Sequence, residues 1–207
     1  MNIMQTWQFN LFGYLVCVVG FYQFFKLAVR NAKRDGAAAA LLQLIGAGFG
    51  LLMTPLLPIV WPSESKYWFL LIGACIFYAL NDRLQTTVRK HLQVSVVTIL
   101  NQLSTVFLFT IGILFFREPF SLNKFVGVLV ILTANILLRY SKGKFEVNKY
   151  VGLAVLAIIS FAIAITIDID ISKVFNLPIY IMLTLAIPAL MIMAAEKIKP
   201  QELINEF

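Results

Sequence analysis

Two apolar runs joined by a short charged turn fill the stretch Ile99–Leu138, ILNQLSTVFLFTIGILFFREPFSLNKFVGVLVILTANILL. Its only charged residues are Arg117, Glu118 and Lys124, which lie between the runs. Both runs are continuously apolar and lack the alternation of a membrane β-barrel strand. About 20 apolar residues in a helix are enough to cross the hydrocarbon core of a bilayer. The stretch therefore predicts two transmembrane helices with a short connection.

The same composition extends over the whole chain. Of its 207 residues, 60% are apolar and 13% are charged, against about 45–50% and about 25% in a typical soluble domain. Uncharged stretches recur at Phe9–Phe25, Gly36–Ser63, Leu92–Phe116, Tyr150–Ile167 and Val174–Ala195. This pattern excludes a water-soluble globule and predicts an all-α, polytopic transmembrane bundle.

We predict about seven spans, separated by short connections without an inserted soluble domain. They are Phe9–Leu27, Gly36–Trp61, Tyr67–Thr87, Val94–Phe116, Leu122–Arg139, Tyr150–Ile169 and Phe175–Ala195. The third has only fifteen uncharged residues, Tyr67–Asn81, before Asp82 and Arg83. The fifth is also short, so its flanking charged side chains must extend to the two interfaces.

The basic residues lie in clusters between the apolar stretches, which is typical of topology signals and not of a nucleic-acid interface. Thirteen fall on one side of the predicted bundle, namely Lys26, Arg30, Lys33, Arg34, Arg83, Arg89, Lys90, Arg139, Lys142, Lys144, Lys149, Lys197 and Lys199. The other side has four, Lys66, Arg117, Lys124 and Lys173. By the positive-inside rule, this count favours an outside N-terminus and a cytoplasmic C-terminus.

The sequence lacks the residue patterns of common enzyme and metal sites. Cys17 and Cys75 lie in apolar segments without CxxC spacing, and His91 is the one histidine. No HExxH, GxSxG or Walker-type motif is present. We expect no enzymatic activity, no catalytic residues, no metal site and no cofactor.

A polar stripe on the fourth span is the first candidate for substrate binding. Ser95, Thr98, Gln102 and Thr105 follow helical spacing on one face, and Asn101 and Ser104 broaden that face. In hydrocarbon such a stripe must face protein or a wet cavity, so we expect it to line a path for a polar solute. The alternative is interhelical hydrogen bonding, worth under about 1–2 kcal/mol per contact.

A second polar face is predicted on the third span. Asp82, Gln85, Thr86 and Arg89 are spaced i, i+3, i+4 and i+7, which brings the acid and the base to one helix face. Ionisable groups within a span are candidates for a substrate or proton pathway, so Asp82 and Arg89 join the candidate substrate-binding residues. In the alternative, the helix ends near Asn81 and these groups are solvated at the interface.

Two smaller features leave similar alternatives open. Asp168 and Asp170 close the sixth span, where carboxylates oppose the helix dipole. They form either a solvated loop, with Lys173 as the local partner, or a coupling-ion or proton site. Gly46 and Gly50 form a small-xxx-small pair that allows close helix contact or is simply packing filler.

The stretch Ile99–Leu138 resembles the EamA-like drug/metabolite transporter superfamily. In that superfamily a span ends in an acidic residue, a short amphipathic turn follows, and a glycine-containing span closes a five-helix repeat. The matching residues here are Glu118 at the acidic position, Ser121 and Leu122 in the turn, and Gly127 and Ala134 on the closing span. The order and spacing of spans extend the resemblance from Phe9 to Tyr140. Glu118 and Gly127 are carried over as markers of the family motif, and Glu118 is not carried over as a proven substrate ligand.

The resemblance implies two inverted five-helix repeats around a central cavity. Residues 1–140 would be the first repeat, and residues 141–207 would be the first two helices and a juxtamembrane tail of an incomplete second repeat. A weak internal sequence similarity between Gly13-Tyr14-Leu15 and Gly152-Leu153-Ala154 agrees with the start of a second repeat. The resemblance also implies a cytoplasmic N-terminus, opposite to the charge count, and both orientations stay open.

These observations predict an integral, multi-pass plasma-membrane transporter or exporter. It would move a small polar metabolite or drug by alternating access, with the first, third, fourth and sixth spans lining the path. One alternative is a non-transporting subunit or scaffold, paired as a homodimer or with a second membrane chain. Another is a lipid-linked sugar flippase, suggested by the breadth of the superfamily. Substrate, coupling ion and direction are not predicted.

Overall fold

The computed structural model describes residues 3–56, 60–140 and 148–206. These ranges contain helices and connections, with no β-strand among them. The helices are α1 (Ile3–Arg30), α2 (Asp35–Met53), α3 (Ser65–His91), α4 (Val94–Asn101), α5 (Leu103–Leu114), α6 (Leu122–Tyr140), α7 (Lys149–Ile171), α8 (Leu177–Glu196) and α9 (Pro200–Ile204). The predicted all-α class is confirmed.

Within the described ranges, five segments are long and apolar enough to cross a membrane. They are Gln8–Arg30, Asp35–Met53, Val94–Leu114, Lys149–Ile171 and Leu177–Glu196. The other two predicted spans correspond to α3 and α6, the two whose uncharged stretches are short. With 27 residues, α3 is about 40 Å long and exceeds the hydrocarbon core of about 30 Å. The fold is a polytopic bundle of about seven spans.

Helices α3 and α7 run in opposite directions, as contacts at the two ends of α3 show. At the end of α3, the His91 ring stacks on Tyr150 of α7 with centroids 4.1 Å apart. Near the start of α3, Trp68 contacts Phe175, which follows α7, edge to face at 5.4 Å. These contacts make α3 and α7 antiparallel. The most extensive helix contacts are between these two helices and between α2 and α8.

An ion-pair network joins α2, α3 and α8 at the end of the bundle where α3 and α8 finish. Lys90 is 2.9 Å from the carboxylate of Asp35, and Thr87 donates to that carboxylate at 2.7 Å. Arg83 donates to the carboxylate of Glu196, while the Arg34 Nε atom lies 3.5 Å from it. Basic residues from α3 and from the connection before α2 therefore converge at one end of the bundle.

The second and third predicted spans end at other residues than the observed helices. The second was expected to continue to Trp61, but α2 ends at Met53, and a 3₁₀ turn, Thr54–Leu56, follows, while residues 57–59 of that prediction lie outside the described ranges. Pro55 has no amide hydrogen to donate to a carbonyl of the preceding turn, so the helical hydrogen-bond pattern is interrupted there. The third was expected to end at Thr87, but α3 continues to His91. The alternative in which this helix ends near Asn81 is therefore wrong.

The fourth span is one membrane crossing but not one regular helix. It breaks at Gln102, between α4 and α5, where the amide of Gln102 donates to the Ile99 carbonyl at 3.1 Å and the amide of Thr105 to the Gln102 carbonyl at 3.1 Å. These are tight i to i+3 bonds. The Ser104 hydroxyl also donates to the Asn101 carbonyl at 2.6 Å. Such side-chain bonds compete with the regular helical ladder, so the predicted continuous helix is corrected.

Gly46 and Gly50 lie where α2 meets α8. A Cβ atom on Gly50 would lie 3.1 Å from the Met182 backbone nitrogen and 3.3 Å from its Cα atom, and one on Gly46 would lie 3.0 Å from Leu185 Cδ1. The backbones of the two helices therefore approach each other closely at Gly50. Of the two sequence-based interpretations, the structure supports close helix contact.

We predict that Gly50→Val destabilises the bundle, because its side chain would collide with the α8 backbone. The loss should be about 1–3 kcal/mol, the usual range for overpacking. Thermal unfolding of the detergent-purified protein, followed by size-exclusion chromatography after heating, measures it. Gly48→Val is the matched control, because a Cβ atom at this exposed position of α2 meets no atom within 4 Å. Equal stability of the two variants would contradict the prediction.

Candidate functional site

A cavity of about 590 Å³ lies among α1, α2, α3, α7, α8 and the α4–α5 break. It is bounded by the four spans expected to line a path and by the second and seventh spans as well. Its walls combine apolar and aromatic side chains of α1, α7 and α8 with a polar surface. That polar surface includes Gln43, Asn81, Asp82, Gln85, Thr86, Arg89, Asn101, Gln102 and Ser104.

One polar wall comes from the second half of α3. Helical spacing brings Asp82, Gln85 and Arg89 to the cavity, as the sequence predicts, and places Asn81 beside them. The Asn81 Nδ2 atom donates to the Asp82 carboxylate at 2.9 Å. The Thr86 hydroxyl bonds to the backbone carbonyl of Asp82 at 2.8 Å, within the helix.

The second polar wall is the break between α4 and α5. Asn101, Gln102 and Ser104 all line the cavity there. Asn101 and Ser104 are three residues apart and therefore share a helix face, and Gln102 widens the surface that they form. The Asn101 Oδ1 atom accepts a hydrogen bond from Gln85 Nε2 at 3.1 Å, which joins the two walls. The Oε1 atom of Gln85 is buried without a hydrogen-bond partner.

Arg89 is the most buried charged side chain of the cavity, with 7% exposure. Its guanidinium carbon lies 4.6 Å from the ring centroid of Tyr22 and 4.7 Å from that of Phe25, both on α1. These cation–π contacts hold the charged group in place. The Nε atom has no hydrogen-bond partner, and no carboxylate in the described ranges lies within 4.0 Å of the guanidinium.

The α3 end that carries Arg89 is fixed from α1. The Lys26 ammonium donates to the backbone carbonyl of Arg89, and also to those of Lys90 at 3.2 Å and Leu92 at 2.9 Å. A cation at a helix C-terminus satisfies carbonyls that lack a helical partner and interacts favourably with the helix dipole. Lys26 therefore positions the last turn of α3, next to the cavity.

The residues predicted for substrate binding separate into two groups. Asp82, Arg89, Asn101 and Gln102 line the cavity, whereas Ser95, Thr98 and Thr105 do not. The Thr98 hydroxyl bonds to the Val94 carbonyl at 2.9 Å, within its own helix. The predicted stripe therefore meets the cavity only at Gln102, together with its neighbours Asn101 and Ser104.

Gln43 and Asn81 line the cavity but were not among the residues predicted for substrate binding. A signal for Gln43 exists in the sequence, because it is an amide within the long uncharged stretch Gly36–Ser63. An amide within an apolar span must face protein or water. For Asn81, its place directly before Asp82 is the corresponding signal.

Asp168 belongs to a separate contact outside the cavity lining. Its carboxylate accepts hydrogen bonds from the hydroxyls of Tyr78 on α3 and Tyr180 on α8. It therefore joins three helices and is not part of a solvated loop. Asp170 and Lys173, in contrast, are exposed at the end of α7.

Glu118 lies in the turn between α5 and α6 and does not line the cavity. Its amide donates to the Gly112 carbonyl at 3.1 Å, and its exposed carboxylate pairs with Lys124 at 2.9 Å. Arg117 has a φ of 52°, in the left-handed region, which reverses the chain after α5. On α6, Gly127 is exposed, and a Cβ atom there meets nothing within 4 Å. Glu118 thus stabilises a turn.

Comparison with known families finds a family model that matches the first part of the chain. The model of the EamA-like transporter family matches residues 5–140, more than half of the chain. Comparison with curated proteins finds no significant match. The predicted resemblance is confirmed by the family match, and the apolar helices agree with a multi-pass membrane protein. The chain belongs to the EamA-like transporter family.

Proposed function

We propose that this protein carries a small polar metabolite or drug across the plasma membrane as a secondary transporter, by alternating access. The observation that carries the proposal is the polar cavity inside an apolar bundle. Amides and charged groups are costly within a bilayer and usually mark substrate or ion paths. Here they converge from α2, α3 and the α4–α5 break on one space.

The size and chemistry of the cavity support a small solute. Its volume of about 590 Å³ lies within the range of about 300–1,000 Å³ typical of ligand sites. The amides of Gln43, Asn101 and Gln102 offer both donors and acceptors to a polar solute. Asp82 and Arg89 add one charge of each sign to the same space.

Two features support movement around this site. The ion pairs of Glu196 and Asp35 link α2, α3 and α8 at one end of the bundle. Transitions between two states often break and re-form salt bridges between packed elements, so these pairs are the contacts that opening of that end would exchange. The break at Gln102 lies at the cavity wall, and an interrupted helical ladder is a frequent position for bending. Both features fit a site that opens alternately to the two sides.

Alternating access predicts that a cysteine in the cavity is reached by water from both membrane faces. We would introduce Ser104→Cys into a Cys17→Ser, Cys75→Ala background and apply a membrane-impermeant thiol reagent to right-side-out and inverted vesicles. Labelling from both faces is expected, since the thiolate that reacts requires an aqueous environment.

Val130→Cys is the control for this experiment, because the side chain is 59% exposed on the outer surface of α6. In a bilayer this position faces lipid, so it should stay unlabelled from both faces. Labelling of Ser104→Cys from neither face, or from one face under all conditions, would contradict alternating access at this cavity.

Gln102→Leu should reduce transport about tenfold or more, because the loss of a hydrogen bond of about 1.4 kcal/mol corresponds to a factor of ten. Metabolite profiles of cells with and without the protein would identify the solute, and its flux in proteoliposomes would measure the effect. Thr98→Val is the control on the same span, because its hydroxyl bonds within the helix, outside the cavity lining. Normal flux by Gln102→Leu would contradict the proposed path. The absence of any transported solute would favour the non-transporting subunit.

A further inference from the structure

The charge of Arg89 in the cavity lacks a counter-ion. The side chain is 7% exposed, and no carboxylate in the described part of the chain lies within ion-pairing distance. A guanidinium group cannot lose its proton in a protein, so the positive charge persists. A buried charge without a partner is costly, and the contacts with Tyr22 and Phe25 compensate only in part.

Arg89 is also held ready for a ligand. The two aromatic rings of α1 lie within 5 Å of its guanidinium carbon, and Lys26 fixes the backbone of the same helix turn. The buried Nε atom has no hydrogen-bond partner among the described residues, so the bundle itself does not use this donor. Arginine donors in a planar fork match the geometry of carboxylate and phosphate oxygens.

Two hydrogen-bond acceptors, Gln85 and Asp82, lie on the same face of α3 as Arg89. The buried Oε1 atom of Gln85 has no hydrogen-bond partner among the described residues, and Gln85 is one helical turn from Arg89. Asp82 lies about 10 Å from Arg89 along the helix axis, toward the start of α3, because the two residues are seven positions apart. The cavity thus has a cation at one end, a free amide oxygen beside it, and a carboxylate at a distance.

We infer that the cavity takes an organic oxyanion, a carboxylate or phosphate, whose body also carries a hydrogen-bond donor. Arg89, whose guanidinium lies against the rings of Tyr22 and Phe25, binds the oxyanion. Gln85 accepts a hydrogen bond from the donor group on the body of the ligand. The carboxylate of Asp82 excludes a second negative charge at its end of the cavity. This inference rests on the proposed function and narrows its substrate to a chemical class.

Paired probes test the inference on the whole detergent-purified protein. Glycerol 3-phosphate is compared with glycerol, and lactate with 1,2-propanediol, at constant ionic strength set by potassium chloride. A ligand that binds the folded state raises the unfolding midpoint. We expect at least one oxyanion to raise it by about 3 °C or more, while neither neutral partner does. Stabilisation by the neutral members alone, or by none of the four, would overturn the inference.

Arg89→Gln should abolish the stabilisation by the oxyanion. Lys66→Gln is the matched control, because it removes one positive charge from the same helix but lies at the exposed start of α3, outside the cavity lining, paired with Glu64. Each variant is compared with its own unliganded midpoint. If Arg89→Gln does not fold, Tyr22→Leu replaces it, and at least a threefold weaker affinity for the oxyanion is expected. An unchanged response of the Arg89→Gln or Tyr22→Leu variant would overturn the assignment to Arg89.

Two further experiments complete the test. The first asks whether the bound anion is a soluble molecule or a lipid headgroup, and the second asks whether the bound molecule is transported. Micelles with phosphatidylglycerol test a lipid headgroup. If that lipid stabilises the protein through Arg89 and the soluble oxyanions do not, the inference of a soluble substrate is wrong. Flux in proteoliposomes then separates binding from transport. Oxyanion binding without flux supports the inference and contradicts the proposed transport, whereas flux of neutral solutes alone supports transport and contradicts the inference.

Discussion

A bilayer interior offers no water to a polar group, and the arrangement of this bundle follows from that constraint. Backbone groups are paired within helices, so each polar side chain on a span must face another helix or a cavity. The second half of α3 illustrates the result, with Asp82, Gln85 and Arg89 facing the space among six segments of the bundle. At its first half α3 is apolar, and Leu71 and Cys75 there are fully buried. The cavity exists because α3 combines both surfaces in one continuous helix.

Close packing provides the attraction between helices in lipid, where the hydrophobic effect does not drive their association. Lipid tails are as apolar as leucine, so helices associate through short contacts of small residues. Gly50 allows this approach between α2 and α8, and fully buried alanines such as Ala37 and Ala189 line the same interface. On α1, in contrast, large side chains such as Phe9 and Phe24 are more than two thirds exposed. A packed set of helices thus supports the cavity, and α1 closes it with fewer contacts.

Three acidic residues in or next to the spans have different roles, because each has different neighbours. Asp168 accepts hydrogen bonds from Tyr78 and Tyr180 and thereby joins α3, α7 and α8. Glu118, the acidic residue of the family pattern, is exposed and pairs with Lys124 in a turn. Asp82 lines the cavity, with Asn81 as its hydrogen-bond donor. Of these three acids, the one best placed to meet a solute is therefore outside the family motif, while the motif residue shapes the connection between α5 and α6.

The sequence by itself determined the membrane class, the order of the spans and the polar face of α3, because these depend on local composition and helical periodicity. The positions of Asp82, Gln85 and Arg89 on one side of α3 follow directly from spacing. The tertiary structure decided the rest of the cavity. Asn101, Gln102 and Ser104 line it while Ser95, Thr98 and Thr105 do not, since the part of a polar face that meets a cavity depends on which helices pack against the rest. Likewise, only the approach of α1 shows that the charge of Arg89 lies against two aromatic rings with no counter-ion among the described residues, because that environment is formed by residues more than 60 positions away.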